Sequence, residues 1–262
     1  ALAAEGDVAI LCLGDNEETS GENFDRTTLD LPGRQLALAR AVWATGTPTV
    51  LVLQSGRPVS ANWENDHLPA ILEAWFPGEQ GGAAVAETLF GDNAPGGRLP
   101  ITFPRSVGQV PCHYARRPGG GKKYVEMDWM PLYPFGYGLT YTSFAYRDLT
   151  LSADTIRAGE SVTVSVTVQN TGSRAGAAVP QLYVHDLVSS VVKPLRQLAG
   201  FARVELQPGE SRTVQFTVGT RALRTLGADY VWRVEPGRFE LELGDNAENI
   251  LMKAGLTVTA TE

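Results

Sequence analysis

DVAILCLG, at residues 7–14, is an apolar run of strand length that ends in glycine. PTVLVLQSG, at residues 48–56, repeats the pattern, and PGRQLALARAVWATG, at residues 32–46, lies between the two with helical spacing of its apolar residues. Strand, helix and strand in this order are typical of a βαβ unit, whose parallel strands are buried on both faces. The segment therefore predicts a parallel sheet with flanking helices.

Two further elements extend this pattern. ILEAWFPG, at residues 71–78, predicts a third strand, and GGAAVAETLFG, at residues 81–91, predicts a second helix. The face of the first helix that we expect to pack on the sheet carries Leu36, Ala39, Val42 and Trp43. Three strands and two helices make about half of an α/β domain.

The first six residues, ALAAEG, have no basic start, no apolar core of a signal peptide and no initiator methionine. The apolar strand at residues 7–14 follows at once, although such a strand is expected in the middle of a domain rather than at its start. We therefore expect the chain to be a fragment, with further segments of the same protein upstream.

Length and charge exclude several classes of protein. The chain has 262 residues, two cysteines and a formal net charge of −7, which allows two domains and excludes a disulfide-built mini-protein. Its apolar runs are far shorter than the roughly 20 residues of a membrane-spanning helix. No block of lysine and arginine offers the basic surface that nucleic acid or an anionic membrane needs. We expect neither as a partner.

The second half of the chain has a different pattern. Residues 91–138 lack periodicity and are rich in glycine and proline, which indicates a long connecting loop. After about Tyr146 the apolar residues alternate, as in SVTVSVTVQN at residues 161–170, and short runs of this kind recur between turns. About seven such strands predict an antiparallel β-sandwich of immunoglobulin or fibronectin type. The fold class is therefore α/β followed by all-β.

One loop is unusually acidic. GDNEETSGENFDRTTLDLP, at residues 14–32, follows the first strand at the sheet edge where open α/β proteins bind ligands. Its carboxylates are Asp15, Glu17, Glu18, Glu22, Asp25 and Asp30, against a single arginine, Arg26. The loop is either a site for acid/base chemistry or a hard cation, or a solvated surface loop, and its spacing does not match a calcium-binding loop.

Other chemistries have little support. His67, His113 and His185 are too far apart for a helical metal pair, and Cys12 in its apolar strand is expected to be a core residue, so no metal is predicted. GGGKK, at residues 119–123, lacks the first glycine and the final hydroxyl residue of a phosphate-binding loop and predicts a mobile loop instead. The Gly-x-Ser-x-Gly motif of serine hydrolases is absent from the sequence.

Six segments of the sequence, which follow one another in the order found in a known family, support a resemblance to that family. They are ENFDRTTLDLPGRQ, TPTVLVLQSGRPV, ILEAWFPGEQGGAAVAETLFGDNAPGGRLPITFPRSVGQVP, LYPFGYGLTYTSF, VQNTGSRAGAAVPQLYV and LAGFARVELQPGE. Together they resemble the C-terminal part of glycoside hydrolase family 3 enzymes, with most similarity to the bacterial periplasmic β-glucosidases. The series covers nearly the whole chain.

The resemblance implies an order of domains. Members of the family have a (β/α)8 barrel, then an α/β sandwich domain, then a fibronectin type III-like domain. Residues 1–145 would be part of the α/β sandwich domain with its long connecting loop, and residues 146–262 the fibronectin type III-like domain. The barrel, which would carry the aspartate nucleophile, is expected as an N-terminal partner domain or chain.

The resemblance also assigns a catalytic residue. In the family the general acid/base is a glutamate shortly before an Asp-Arg pair, and GENFDR places Glu22 at that position. Glu17 and Glu18 are the alternatives, because this loop varies in length among relatives. Asp25 and Arg26 are expected to form a structural ion pair that holds the loop.

Substrate-binding residues are not assigned. Lys123 and Glu126 stand where relatives often have arginine and aspartate, which weakens a claim of sugar contact there. Trp129 would suit either stacking on a sugar or burial at an interface. The sandwich aromatics Tyr183, Phe201 and Trp232 are expected to be core residues and the sandwich itself to be structural.

The implied function is that of a retaining, exo-acting β-glucosidase that removes terminal β-D-glucosyl units from a β-glucoside or cello-oligosaccharide. A β-xylosidase or exo-β-glucanase specificity is the alternative within the family, and a non-catalytic carbohydrate- or protein-binding module is the alternative outside it. The resemblance implies no cofactor, a periplasmic or secreted location, and leaves a homodimer open.

Overall fold

The computed structural model describes residues 1–119 and 123–261. The expected mobile loop at residues 119–123 falls mostly outside these residues. The chain folds into two compact units. The first comprises Ala1–Asn93, Thr102–Cys112 and Glu126–Tyr133, and the second comprises Ala94–Ile101, His113–Val125 and Pro134–Glu262. None of the described helices is long and apolar enough to cross a bilayer.

The first unit contains a parallel sheet, as the βαβ pattern predicts. Its strands are β1 (Ala9–Gly14), β2 (Thr49–Gln54) and β3 (Ala70–Glu73), in the order β1-β2-β3. Both strand pairs are parallel, with Gly14 opposite Gln54 and Leu53 opposite Glu73. Its helices are α1 (Leu2–Glu5), α2 (Gln35–Trp43), α3 (Asn62–His67) and α4 (Gly81–Phe90). All three strand ends therefore lie at one edge of the sheet.

Burial differs between the strands. In the central strand β2, Leu51, Val52 and Leu53 are almost completely buried, because both faces of this strand are covered. In β1, an edge strand of the described sheet, Ile10 and Cys12 are exposed. The expectation that Cys12 is a core residue was wrong, since no described element covers its side of the strand.

Helix α2 packs only in part as its spacing predicts. Ala39 is buried and Leu36 and Val42 are half-buried, but Trp43 at the last position of the helix is 46% exposed. Helix α3, which the sequence pattern did not indicate, follows β2 and brings Trp63 and His67 next to Trp43. The core of this unit consists of Leu31, Leu51, Leu53, Val59, Ala61, Leu68 and Leu132.

The second unit is a β-sandwich. Its strands are β4 (Phe144–Leu151), β5 (Thr155–Arg157), β6 (Val162–Asn170), β7 (Gly176–Ala178), β8 (Gln181–Asp186), β9 (Gln197–Phe201), β10 (Val204–Leu206), β11 (Ser211–Val218), β12 (Thr225–Leu226), β13 (Trp232–Arg233), β14 (Gly237–Gly244) and β15 (Ile250–Thr259), with helix α5 (Thr220–Leu223) between β11 and β12. One main sheet has the order β11-β6-β4 and the other β5-β15-β14-β8-β9.

The alternation in the sequence accounts for the sandwich core. Along β6 the valines at 162, 164, 166 and 168 are buried and the residues between them are half-buried, as expected of a strand with one face in the core. Tyr183 is fully buried, as predicted. Phe201, at the end of the edge strand β9, and Trp232 are exposed, so the expectation that they are core residues was wrong.

Candidate active site at the carboxyl edge of the parallel sheet

The acidic loop starts at a point that only glycine can occupy. Gly14 has φ 142°, and a Cβ atom there would lie 2.0 Å from the Gln54 carbonyl oxygen of the neighbouring strand. The amide N–H of Gly14 donates to Gln35 Oε1 at 2.7 Å, and Gln35 Nε2 donates back to the Gly14 carbonyl at 2.8 Å. The first residue of α2 therefore clamps the start of the loop.

Asp15, the first loop residue, is the anchor of the loop. Its side chain is 1% exposed and forms ion pairs with Arg26, at 3.0 Å from Nη1, and with Arg57, at 3.4 Å from Nε. The hydroxyls of Thr19 and Ser55 donate to its two carboxylate oxygens at 3.1 and 2.9 Å. A buried carboxylate is tolerated when charges and hydrogen bonds satisfy it in this way.

The arginine of the Asp-Arg motif has a different partner from the one expected. Arg26 binds Asp15, eleven residues earlier, and its Nη2 donates to the Asp30 carbonyl at 2.6 Å. Asp25 is exposed. The expected pair between Asp25 and Arg26 is therefore replaced by a pair between Arg26 and Asp15, which ties both ends of the loop together.

Glu17 and Glu18 lie in a tight turn. The amide N–H groups of Thr19 and Ser20 donate to the Asn16 carbonyl at 3.1 and 3.0 Å, and the Glu18 amide donates to Asn16 Oδ1 at 3.0 Å. Arg57 Nη2 donates to the Thr19 carbonyl at 3.1 Å and so fixes the end of this turn. Both glutamate side chains are exposed.

Glu22 lies at the corner of a second turn. The Phe24 amide donates to the Gly21 carbonyl at 3.2 Å, and Asn23 at the third position has φ 65°, a left-handed conformation that asparagine tolerates better than most residues. Glu22 is exposed, and within residues 1–119 and 123–261 its carboxylate has neither a hydrogen-bond partner nor an ion-pair partner. The turn thus presents an uncommitted carboxylate at its corner.

The connections after β2 and β3 border the same loop. A Cβ atom on Gly56 would lie 2.8 Å from the Phe76 ring and 3.0 Å from Ser20 Oγ, so these three residues pack together. Phe76 is nevertheless 57% exposed. The loop with Glu22 therefore has an aromatic surface beside it.

Glu73, the last residue of β3, is a half-buried acid at this edge. Its Oε1 accepts the Trp75 amide N–H at 2.9 Å, and no described atom forms a hydrogen bond with its buried Oε2. Burial raises the pKa of Glu73 to about 7, although the hydrogen bond from Trp75 opposes this shift. Trp75 itself has φ 52°, a strained conformation for an aromatic residue.

The tryptophan named from the connecting loop belongs to the same unit. Gln109 Nε2 donates to the Trp129 carbonyl at 2.9 Å, and Arg105 Nε donates to the Met130 carbonyl at 3.2 Å. Trp129 is 38% exposed, and Lys123 and Glu126 are exposed.

The sandwich contains three side chains of the types that bind metals, and a lysine forms ion pairs with two of them. His185, Glu240 and Glu242 bring potential ligand atoms within 4.8 Å of one another. Lys253 Nζ lies 2.9 Å from Glu240 and 2.8 Å from Glu242, and these hydrogen bonds raise the pKa of Lys253. Because the ammonium group already satisfies the carboxylates, the group is an ion-pair network.

Comparison with known proteins identifies the fold. Residues 1–141 match the model of the glycosyl hydrolase family 3 C-terminal domain, which is more than half of the chain. The chain belongs to glycoside hydrolase family 3. Residues 178–247 also match a fibronectin type III-like domain, in agreement with the sandwich. The two-part fold class that the sequence predicts is thus confirmed.

Curated relatives cover nearly all of the chain. A periplasmic β-glucosidase of Salmonella typhimurium is 42% identical over 95% of this chain, and a β-xylosidase of Formosa agariphila is 44% identical over 98% of it. The chain spans only 34% and 36% of those two proteins. This family 3 chain therefore corresponds to about a third of such relatives.

Solved structures agree with the fold. A β-glucosidase from Erythrobacter marinus superposes with a TM-score of 0.95 at 42% identity, covering 98% of this chain and 35% of that one. A β-glucosidase from Listeria innocua in complex with glucose superposes with a TM-score of 0.92 at 32% identity, covering 96% of this chain and 36% of that one.

Several residues of this candidate site were not singled out from the sequence. Asp15 was counted only as one of the loop carboxylates, and Ser55, Arg57 and Phe76 were not named. All of them directly follow, or lie close behind, the ends of the three parallel strands. Because parallel strand ends meet at one edge, their positions in the sequence would have been a usable signal.

Proposed function

We propose that this chain is the C-terminal part of a retaining, exo-acting β-glucosidase and that Glu22 is its general acid/base. The observation that carries the proposal is the exposed carboxylate of Glu22, which has no partner among the described residues, on a turn whose base is fixed by Asp15, Arg26 and Arg57. An acid/base must reach a bound substrate freely while its backbone stays in place. Glu17 and Glu18 are exposed as well, but they stand outside the GENFDR motif.

The mechanism needs a second carboxylate from elsewhere in the protein. We place it on an N-terminal (β/α)8 barrel, in accord with relatives about three times as long as this chain. The barrel aspartate would attack the anomeric carbon while Glu22 gives its proton to the departing glycosidic oxygen. Glu22 would then take a proton from water as the water oxygen displaces the aspartate. Retention requires about 5–5.5 Å between the two carboxyl groups.

The substrate we propose is a terminal β-D-glucosyl unit of a β-glucoside or cello-oligosaccharide. The β-glucosidase names of the Salmonella, Erythrobacter and Listeria relatives support it. A β-xylosidase specificity is the second candidate, because the Formosa relative at 44% identity carries that name. Phe24 and Phe76 are both exposed beside the Glu22 turn and would offer aromatic faces to a sugar ring. The periplasmic relative supports a periplasmic or secreted location.

The decisive experiment tests the role of Glu22 by chemical rescue of a variant that lacks its carboxylate. The Glu22→Ala variant of the protein at its natural length would be incubated with sodium azide and an aryl β-glucoside that carries a good leaving group. We expect azide to restore turnover and β-glucosyl azide to form, since this anion attacks the anomeric carbon of the glycosyl-enzyme directly and displaces the barrel aspartate without needing a base. Formation of the azide in Glu18→Ala or Glu17→Ala instead would transfer the role to that residue.

A further inference from the structure

A cluster of aromatic rings lies at the opposite, amino-terminal edge of the parallel sheet. Trp63 and His67 of helix α3 stack with ring centroids 4.5 Å apart and an interplanar angle of 13°. Trp43 meets both rings edge-on, at 5.9 Å from Trp63 and 5.1 Å from His67. The Arg40 guanidinium lies 5.4 Å from the Trp63 ring. The ring contacts hold Trp43 in place although almost half of its surface is exposed.

Trp43 and His67 form one wall of a pocket of about 380 Å³. The lining residues are Trp43, Ala44, Gly46, Thr47, Pro48, Thr49, His67 and Pro69. No aspartate, glutamate, lysine or arginine is among them, so the pocket favours a neutral ligand. Its volume lies near the lower end of the range for small-molecule sites, about 300–1,000 Å³.

His67 can offer the pocket a hydrogen-bond acceptor through its second ring nitrogen. Its Nδ1 lies 2.8 Å from the Trp63 carbonyl oxygen, a contact in which the ring nitrogen must donate. In a neutral imidazole the other nitrogen, Nε2, is then the acceptor. A half-exposed indole beside such an acceptor suits a ligand with an apolar ring face and hydroxyl groups at its rim.

The hydroxyls of the pocket are already oriented. Thr49 Oγ1 donates to the Thr47 carbonyl at 2.9 Å, and Thr47 Oγ1 donates to the Ala3 carbonyl at 2.6 Å. Thr47 Oγ1 thus has its proton committed. It also lies 3.1 Å from Thr45 Oγ1, whose proton has the Val42 carbonyl as its nearer acceptor at 2.6 Å, and its second lone pair can accept a proton from a ligand hydroxyl. The polar groups of the pocket therefore favour a ligand rich in hydroxyl donors.

We propose that this pocket, defined by Trp43, Thr47 and His67, binds one neutral pyranose ring. The pyranose C–H face would stack on Trp43 and its hydroxyls would donate to His67 Nε2 and Thr47 Oγ1. Strand β2 runs from Thr49 beside this pocket to Gln54 beside the acidic loop, and six strand residues span roughly 20 Å. The pocket is therefore a second sugar site that is separate from Glu22 and does not depend on the catalytic proposal.

The test uses fluorine NMR on the protein at its natural length, labelled with 5-fluorotryptophan. The Trp43 resonance is identified by its loss in Trp43→Phe, and D-glucose is titrated, since this free sugar is not hydrolysed. We expect the Trp43 resonance to shift with saturation at millimolar glucose, and glycerol at equal concentration to leave it in place. His67→Phe, which keeps an aromatic ring but removes the acceptor, should weaken binding at least about 3-fold.

Trp232 provides the matched control, because it is an exposed tryptophan in the sandwich. A Trp43 resonance that stays in place up to 100-fold the expected dissociation constant overturns the proposal. A shift that never saturates and appears equally on Trp232 overturns it too, since that is a solvent effect. Hydrolysis of a small aryl glucoside by Trp43→Phe should be unchanged, so that failure of this site and failure of the Glu22 assignment are separate results.

Discussion

The two edges of the β1-β2-β3 sheet are built from the same strands but have opposite character. At the carboxyl edge a buried carboxylate, Asp15, gathers two arginines and two hydroxyls under an exposed acidic turn. At the amino edge a pocket without a carboxylate or a cationic side chain of lysine or arginine is lined by Trp43 and His67. Charged side chains are therefore concentrated around the loop for which we propose catalysis, while the pocket at the amino edge suits a neutral ligand.

The largest effect should come from the exposed carboxylate itself. Glu22→Ala should lower kcat/KM for substrates with a poor leaving group by about 10²- to 10⁴-fold, as expected for loss of a general acid. A good leaving group needs little protonation, so kcat/KM for substrates that carry one should change little. Steady-state kinetics across a series of aryl glucosides would measure this, with Glu17→Ala and Glu18→Ala as matched loop controls. A Glu22→Ala enzyme with equal losses on all substrates would contradict the role.

The next largest effect should come from Asp15, which anchors the loop at the carboxyl edge. Asp15→Asn removes the negative charge that Arg26 and Arg57 share in a buried place. Removing one partner of a buried ion pair costs about 3–5 kcal/mol, and we expect a loss of that size in the free energy of unfolding in urea. Asp25→Asn, at an exposed position of the same loop, should change it by less than about 0.5 kcal/mol. Equal stabilities of the two variants would show that the loop needs no anchor.

Glu73, the half-buried acid at the carboxyl edge, should make stability depend on pH. Because the pKa of Glu73 is raised from 4.5 to about 7, the folded protein holds a proton that the unfolded chain releases. The stabilisation is complete below pH 4.5 and is lost as pH rises through 7, by up to about 3 kcal/mol. Glu73→Gln should flatten that decline, measured by urea unfolding at pH 5 and pH 8. The same decline in Glu73→Gln would assign it to other groups.

The smallest effect separates the two edges by their aromatic residues. Phe76→Ala should raise KM for a disaccharide about 2- to 10-fold, which corresponds to the loss of one aromatic contact of about 0.5–1.5 kcal/mol. Trp43→Ala, at the amino edge, should leave KM for the same substrate unchanged. Initial-rate measurements of both variants would decide, and an equal rise in KM would mean that the edges are not independent.

Most of the fold could be predicted from the sequence, because period and composition decide it locally. The alternating valines of β6 and the apolar runs of β1 and β2 leave little choice of structure. What could not be predicted is what covers each element. Helical spacing placed Trp43 on the inner face, and only the position of helix α3 shows that its ring lies half in solvent.

The candidate site was predictable in location but not in its internal contacts. The motif GENFDR indicates Glu22, and Glu22 stays a prediction until it is tested. The partner of Arg26 depends on a strand end that lies eleven residues away in the sequence, so a local pattern favoured the adjacent Asp25 instead. Edge position explains Phe201 in the same way, since alternation does not say which strand is outermost.

Gly14 has a practical consequence for engineering. A side chain there would meet the Gln54 carbonyl, and Gln35 clamps the same peptide group from the helix side. The backbone position at which the loop begins is therefore fixed, whatever residues the loop contains. Chimaeras that exchange residues 16–25 between family members should keep Gly14, Asp15 and Arg26. These three residues hold both ends of the exchanged segment in place.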